Sequence, residues 1–313
     1  MLLSFVFSFR NEEENIPELV QRVANVSGAI DDLSYEMIFV NDASTDNSVA
    51  LLKNLQESYP ITILNMSRRF GVTPCILAGF AQAKGDAVVY MDSDLQDPPE
   101  LVEKLVERFR AGAEVVHTTR TYREGEGKFK LWATRKAYHL INFFSDIPLP
   151  ENTGDFKLLS SKVIQEILNL KEYDPYMRGL SVWVGHRQEF VFYRRETRHA
   201  GKTKFPLLSQ NPIQEFIRGL TAYSSAPLYI SFVLGLLTSI FSVLLIMWAV
   251  ITKLMGISAP GASGVLIAVA FFSGIVLMTN GVIGIYVARI YYDVKGRPRY
   301  IVDSIIEPSK KQK

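Results

Sequence analysis

Three polar clusters carry the residue types from which a reaction could be built. Asp92-Ser93-Asp94, with Gln96 two residues on, sets closely spaced oxygen donors at the end of the apolar run AVVYM. Hard cations such as Mg2+ or Mn2+ take oxygen ligands, keep several waters and share phosphate oxygens with a substrate. A cation held there against a diphosphate would stabilise a leaving group that departs with two negative charges. Acidic turns are common, so a D-x-D gains weight from its setting. Arg10-Asn11-Glu12 closes the apolar run 2–9, and Asn41-Asp42 closes the run YEMIFV. Each cluster directly follows a short apolar run.

Those runs are the elements that must position the clusters. Residues 2–9, 35–40, 61–65, 87–91 and 114–119 are short apolar stretches of strand character. Segments 16–29 and 72–83 have helical spacing, Ser44 or Thr45 can cap a helix beginning near Asp46, and Pro98-Pro99-Glu100 opens a helix to Ala111. Alternating strands and helices predict βαβ units and a mostly parallel sheet. Ligands of such sheets bind beyond the carboxyl ends of the strands. The three clusters should therefore converge on one rim. No G-x-G-x-x-G follows the first strand, so nothing supports a dinucleotide-dependent oxidoreductase.

The 313 residues carry 34 basic and 32 acidic side chains, a formal net charge of +2 that points to no nucleic-acid partner. Cys75 is alone, which excludes an intramolecular disulfide and fits a reducing compartment. The first apolar run lacks a basic leader and is expected as a buried strand rather than a signal peptide. Charge vanishes further on, where residues 219–288 contain only Lys253. Within them 227–251 and 264–288 each exceed the ~20 residues that cross a bilayer core. Arg289, Lys295, Arg297 and Arg299 follow the second stretch. The positive-inside rule then puts the N-terminal domain and both termini on the cytoplasmic side of an inner (cell) membrane. With nothing ionisable inside, the two spans are an anchor rather than a transport path. The expected division is a catalytic domain at 1–210, a juxtamembrane amphipathic helix at 211–226, a hairpin at 227–288 and a basic tail at 289–313. Residues 128–145 have helical spacing with Lys and Arg interspersed. They form either a helix packed on the sheet or a basic helix on anionic headgroups.

The ordered segments FRNEEEN (9–15), VNDASTDNS (40–48), SRRFG (67–71), MDSDLQDPPE (91–100), NTGDFKLLS (152–160), RGLSVWVG (178–185) and RHAGKTKF (198–205) resemble glycosyltransferase family 2. More narrowly they are similar to polyprenyl-phosphate glycosyltransferases, a resemblance that covers nearly the whole chain. It implies a GT-A α/β fold, a nucleotide-sugar donor (UDP-glucose first among several), a polyprenyl phosphate acceptor, inverting transfer and Mg2+ or Mn2+. It implies that Ser8, Arg10, Glu12, Asp42, Asp92 and Ser93 hold the nucleotide-sugar, and that Asp92, Asp94 and Gln96 hold the metal and diphosphate. Asp155 matches the position assigned as catalytic base. Arg123, Arg135, Arg198, Thr203 and Lys204 match the set that receives the lipid phosphate. Ser8-Phe9-Arg10 stands where a proline-containing turn is usual, and Ala43 where glycine is common. These departures border the donor pocket and leave the sugar open, as the oligomeric state, a homo-oligomer included, is left open.

Chemistry qualifies the role of Asp155. A phosphate monoester has its second pKa near ~6, so the acceptor is largely ionised at neutral pH and hardly needs a base. Asp155 can orient the acceptor instead, with positioning and leaving-group stabilisation supplying the rate. RHAGKTK then offsets repulsion between an anionic nucleophile and an acidic donor site, and Gly201 permits a lid motion there. A processive polysaccharide synthase would want a QxxRW-like motif and more spans, and neither occurs. A catalytically silent scaffold on the same fold is the other alternative, opposed by the intact Asp92, Asp94 and Asp155.

Overall fold

Strand β1 (Leu2–Phe9) shows how the sheet is built. Its alternation sends Leu3, Phe5, Phe7 and Phe9 into one buried cluster and Val6 into another on the opposite face. The computed structural model describes residues 1–122, 136, 139, 142–145, 147–150, 153–194, 219–255 and 261–308. β1 is followed by β2 (Ser34–Asn41), β3 (Ile61–Met66), β4 (Ala87–Asp92), β5 (Val115–Tyr122), β6 (Thr153–Ser160), β7 (Gln188–Arg194) and β8 (Val302–Ile306). They form one sheet in the order β7-β5-β6-β4-β1-β2-β3-β8. β1 pairs in parallel with β2 and β4, β2 with β3, and β5 with β7. β6 runs antiparallel to β4 and β5, and β8 antiparallel to β3. The mostly parallel α/β sheet expected from the sequence is present.

Helices cover both faces. On one side α1 (Ile16–Ala29), α2 (Ser48–Leu55) and α4 (Val102–Arg110) bury Leu19, Val23, Leu52 and Leu105 against the phenylalanines of β1. On the other, α3 (Val72–Gln82), α5 (Ser161–Asn169) and α6 (Met177–Trp183) bury Leu77, Phe80, Ile164 and Leu180 against Val6, Ile38 and Tyr90. Fully burying one such side chain stabilises by about 1.5–3 kcal/mol, so these two clusters set the layers. Neither Ser44 nor Thr45 caps α2, contrary to expectation. Thr45 N donates to Asn11 Oδ1 at 2.8 Å, Ser44 Oγ accepts from Asn11 N, and Asp46 takes the Ser48 N–H at the helix start. The two side chains lock the β1 and β2 loops together instead.

α7 (Ala226–Leu254) and α8 (Ala262–Val294) have 29 and 33 residues. At 1.5 Å per residue each exceeds the ~30 Å hydrocarbon core of a bilayer. Their apolar windows are not buried inside the protein, and Phe232 and Leu277 are 69% and 72% exposed. A buried core helix would not expose them. Ser231, Thr238, Ser239, Ser242 and Thr252 each donate to a carbonyl one turn back. That satisfies the hydroxyls where no water would be available. The segment expected as a basic tail, 289–313, carries regular structure within its described residues, 289–308. Residues up to Val294 continue α8, and Val302–Ile306 add β8 to the edge of the sheet. Gln56 Nε2 donates to the Ile306 carbonyl and Ser67 N to Ile301 O. Both ends of the helix pair are thus tied to one domain and lie on the same side of any bilayer the pair crosses.

Candidate functional site

The reversed direction of β6 decides where the site forms. β1, β2 and β4 end at one rim, and β6, running the other way, begins there. Ser8 pairs with Asp92 across β1 and β4, and Tyr90 pairs with Lys157 across β4 and β6. The period of two then places Asp92 and Asp155 at the same rim on the face that carries α3 and α6. Backbone strain concentrates there as well. Asn11, Ala43 and Leu95 have φ of 55°, 56° and 57°, each in a loop leaving one of these strands. A left-handed residue other than glycine costs about 1–2 kcal/mol, and such residues cluster where a site over-determines the backbone. Ala43, the departure noted in the sequence, is one of them.

The nearby side chains show what holds the rim. The Asp42 carboxylate accepts from Phe70 N at 2.6 Å and from Gly71 N at 3.1 Å, fixing the turn into α3. Glu12 accepts from Asn15 Nδ2 at 2.7 Å, and its own N–H donates to Ser48 Oγ. Ser93 donates to the Ser8 carbonyl, and Gln96 N donates to Asp94 Oδ1, both at 3.3 Å. Ser8, Arg10, Glu12, Asp42, Asp92, Ser93, Asp94 and Gln96 therefore share one rim. Arg123, Arg135, Arg198, Thr203 and Lys204 lie outside the described residues, as do most of 128–145 and 195–218. A separate cavity of about 1000 Å3 lies between the start of α3 and the end of α8, and its lining includes Arg68, Glu172 and Arg289 but not Asp92 or Asp155.

Charge is unevenly shared at the rim. Burial, then Asp155, Asp94 and Asp97, pushes the Asp92 carboxyl up to about 7, against the pull of Arg120. Asp155 is also raised by burial, but Arg178, Lys157 and Arg120 outweigh this and hold it at about 2. Arg178 forks onto it, Nε to Oδ1 at 3.1 Å and Nη2 to Oδ2 at 2.8 Å. Such a bidentate pair fixes orientation as well as charge. Among the described residues no group of three His, Cys, Asp or Glu side chains is placed to hold a cation alone. Two neighbouring carboxylates, one resisting ionisation because of burial and its acidic neighbours, suit a divalent cation whose remaining ligands are waters and diphosphate oxygens. The residues fit such a metal on that ground.

Several members of the site were not singled out from the sequence. Arg120 crosses the strand at Gly154, where a Cβ would lie 2.7 Å from Arg120 Nη2 and the guanidinium would have to shift, and its charge lowers the Asp155 carboxyl. Arg120 Nη2 donates to Asp97 Oδ2 at 3.1 Å and its Nε to Tyr193 Oη at 3.0 Å, while Tyr193 donates to Asp97. This buried triad ties the D-x-D loop to β5 and β7. Asp97 stands inside the DSDLQDPPE motif, and Lys157 follows Asp155 at the strand spacing that shares a face. Both were legible in principle.

Lys157 is fully buried, its Nζ donating to Ser181 Oγ at 2.5 Å. Burial pushes its ammonium down to about 7, Asp155 opposing and Arg178 reinforcing. The unfolded chain, with an ordinary lysine at 10.5, holds a proton that the fold gives up between those values. Stability therefore rises with pH across that interval. Lys157→Met should flatten this limb, read as a thermal midpoint in detergent that climbs less between pH 7 and pH 10 than that of the parent chain. An unchanged slope would place the titrating group elsewhere.

Comparison with known proteins places the chain in a family. A family described as Glycosyl transferase family 2 matches residues 4–168. The uncharacterized glycosyltransferase YkcC of Bacillus subtilis (strain 168) is 40% identical over 301 residues, spanning 96% of this chain and 92% of that one. The bactoprenol glucosyl transferase of Shigella phage SfII is 35% identical over 304 residues, 96% and 97% of the respective chains. A crystal structure of residues 1–349 of Staphylococcus aureus TarS with UDP-GlcNAc superposes with a TM-score of 0.48 at 16% identity, covering 70% of this chain and 65% of that one. With a family match over more than half its length and relatives along nearly all of it, the chain belongs to glycosyl transferase family 2 and is a glycosyltransferase with a GT-A-like α/β fold.

Proposed function

We propose that this glycosyltransferase moves a sugar, glucose from UDP-glucose first among the donors, onto a polyprenyl phosphate at the cytoplasmic face of an inner membrane. The observation that carries the reading is the meeting of Asp92, Asp94 and Asp155 at one rim, in a domain bound to both ends of an apolar helix pair. The name of the phage relative supports the lipid acceptor and the glucose.

In this reading Ser8, Arg10, Glu12, Asp42 and Ser93 hold the nucleoside and its sugar, and Asp92, Asp94 and Gln96 hold Mg2+ or Mn2+. The cation supplies charge stabilisation for the departing nucleoside diphosphate. A phosphate oxygen of the acceptor forms the new bond to the anomeric carbon from the side opposite the leaving group, so configuration inverts. Asp155, fixed by Arg178, orients the acceptor and the sugar rather than taking a proton. Arg123, Arg135, Arg198, Thr203 and Lys204 receive the lipid phosphate and lower its repulsion from the acidic rim.

The deciding assay incubates membranes bearing the full chain with a panel of radiolabelled nucleotide-sugars and undecaprenyl phosphate. Labelled lipid that depends on added acceptor is expected, and label in soluble or polymeric products alone would reject the reading. Arg198→Ala tests the acceptor set in the same assay. Loss of a charge-assisted phosphate contact costs about 1.5–3 kcal/mol, so kcat/KM for the lipid should fall about tenfold to a hundredfold. Donor binding should be unchanged. Weakened donor binding with an unaltered lipid KM would place Arg198 over the donor instead.

A further inference from the structure

The pair Asp155–Arg178 is held from β6 on one side and from α6 on the other. α6 has only seven residues, Met177–Trp183, too few to be stiff by itself. Two contacts clamp it to the strand, Arg178 to Asp155 and Ser181 to Lys157. Its opposite side meets Tyr223, which stands three residues before α7 and is 8% exposed. At Gly179 a Cβ would lie 2.0 Å from Tyr223 Cε2 and 2.6 Å from Cζ. The ring thus packs directly on the helix backbone, at the residue beside Arg178. Tyr223 is in turn fixed from the second apolar helix. Tyr286 Oη donates to the Ser224 carbonyl at 2.7 Å, and Arg289 Nη1 donates to Thr221 Oγ1 at 3.0 Å. These tethers from α8 bracket the tyrosine. A continuous packed path therefore runs from the foot of the helix pair, through one ring and one bare backbone, to the rim.

We propose that Tyr223 is a positioning residue for the Asp155–Arg178 pair, acting through Gly179, so that the seating of the helix pair on the domain sets the geometry of the transfer site. The catalytic consequence rests on the function proposed above, whereas the mechanical link does not. Any side chain at Gly179 must displace the ring or tilt α6. Tilting α6 moves Arg178 with it, and displacing the ring removes the surface against which α6 is seated. A misplacement of about 1 Å is enough to slow a reaction that depends on orientation.

The test uses the full chain in detergent or nanodiscs, with Gly179→Ala, Tyr223→Leu, their combination and Tyr223→Phe. Hydrogen exchange of residues 177–183 reads the seating of α6 without reference to activity, and donor KM and transfer kcat are measured in parallel. Gly179→Ala and Tyr223→Leu should each speed α6 exchange and lower kcat about tenfold, with donor KM unchanged. The combination should be closer to the parent chain than either single change, because the new methyl occupies space the ring has left. Tyr223→Phe keeps the ring and gives up one long bond, from Tyr223 Oη to the Tyr176 carbonyl at 3.3 Å. That carbonyl keeps the Gly179 and Leu180 N–H groups, so the variant should stay within about twofold of the parent, far from Tyr223→Leu. Unchanged exchange in both single variants, or a combination showing merely the sum of the two losses, would overturn the proposal. Should Gly179→Ala fail to fold, Tyr223→Leu against Tyr223→Phe still decides it. A parent chain that transfers nothing to polyprenyl phosphate would reject the acceptor reading, while the exchange measurements would still decide the link.

Discussion

Replacing Asp94 by Asn should reduce metal-dependent transfer by on the order of a hundredfold or more, the scale on which loss of one group stabilising developing charge is felt. The amide keeps the shape of the side chain and the neighbouring Gln96 N–H contact at 3.3 Å can persist, so the loop should keep its path. What disappears is the negative charge that faces the cation. No third carboxylate, His or Cys among the described residues is placed to complete a set of three and compensate. The expected pattern is a low kcat with a requirement for much higher cation concentration, and a thermal midpoint that no longer rises on adding Mg2+ or Mn2+. Parent-like turnover at ordinary cation concentration would remove Asp94 from the metal site.

How far the sequence alone reached follows from which forces act locally. β1 to β5 and the helices α1, α3 and α4 are written as apolar runs punctuated by Gly, Pro or acidic residues, and all were expected close to where they lie. The rim followed, since residues just after parallel strands must meet there. The antiparallel course of β6 is not legible, although the segment NTGDFKLLS stands out by its residues. Its direction is set by pairing with β4 and β5, which are distant in the chain. β8 is illegible for the same reason. Val302–Ile306 is a short run after a basic stretch, and only the exposed edge of β3 makes it a strand. The Arg120–Asp97–Tyr193 triad draws on three separate elements, so no spacing announces it. Side chains that act through tertiary contact, such as Tyr223 on Gly179, leave no local signature at all.

Asp155→Asn should lower kcat about a hundredfold while leaving the acid limb of the pH profile in place, and that combination separates an orienting group from a base. With Arg178 beside it, Asp155 is held at about 2, which makes it a feeble proton acceptor at neutral pH. The acceptor phosphate loses its second proton near ~6 and supplies its own charge. Measured at saturating cation, which keeps Asp92 ionised, kcat should therefore rise through about pH 6 in the parent chain and in the variant alike. The loss in the variant comes from the broken fork. An amide offers one oxygen where the carboxylate accepted two guanidinium N–H groups, and charge-assisted bonds of this kind contribute about 1.5–3 kcal/mol each. Arg178→Lys should show a similar drop, since an ammonium cannot reproduce the two contacts at 3.1 and 2.8 Å. A base would behave differently. Removing it would make the rate climb with pH well beyond the phosphate pKa, as hydroxide takes over the proton, and Arg178→Lys would then be far milder than Asp155→Asn.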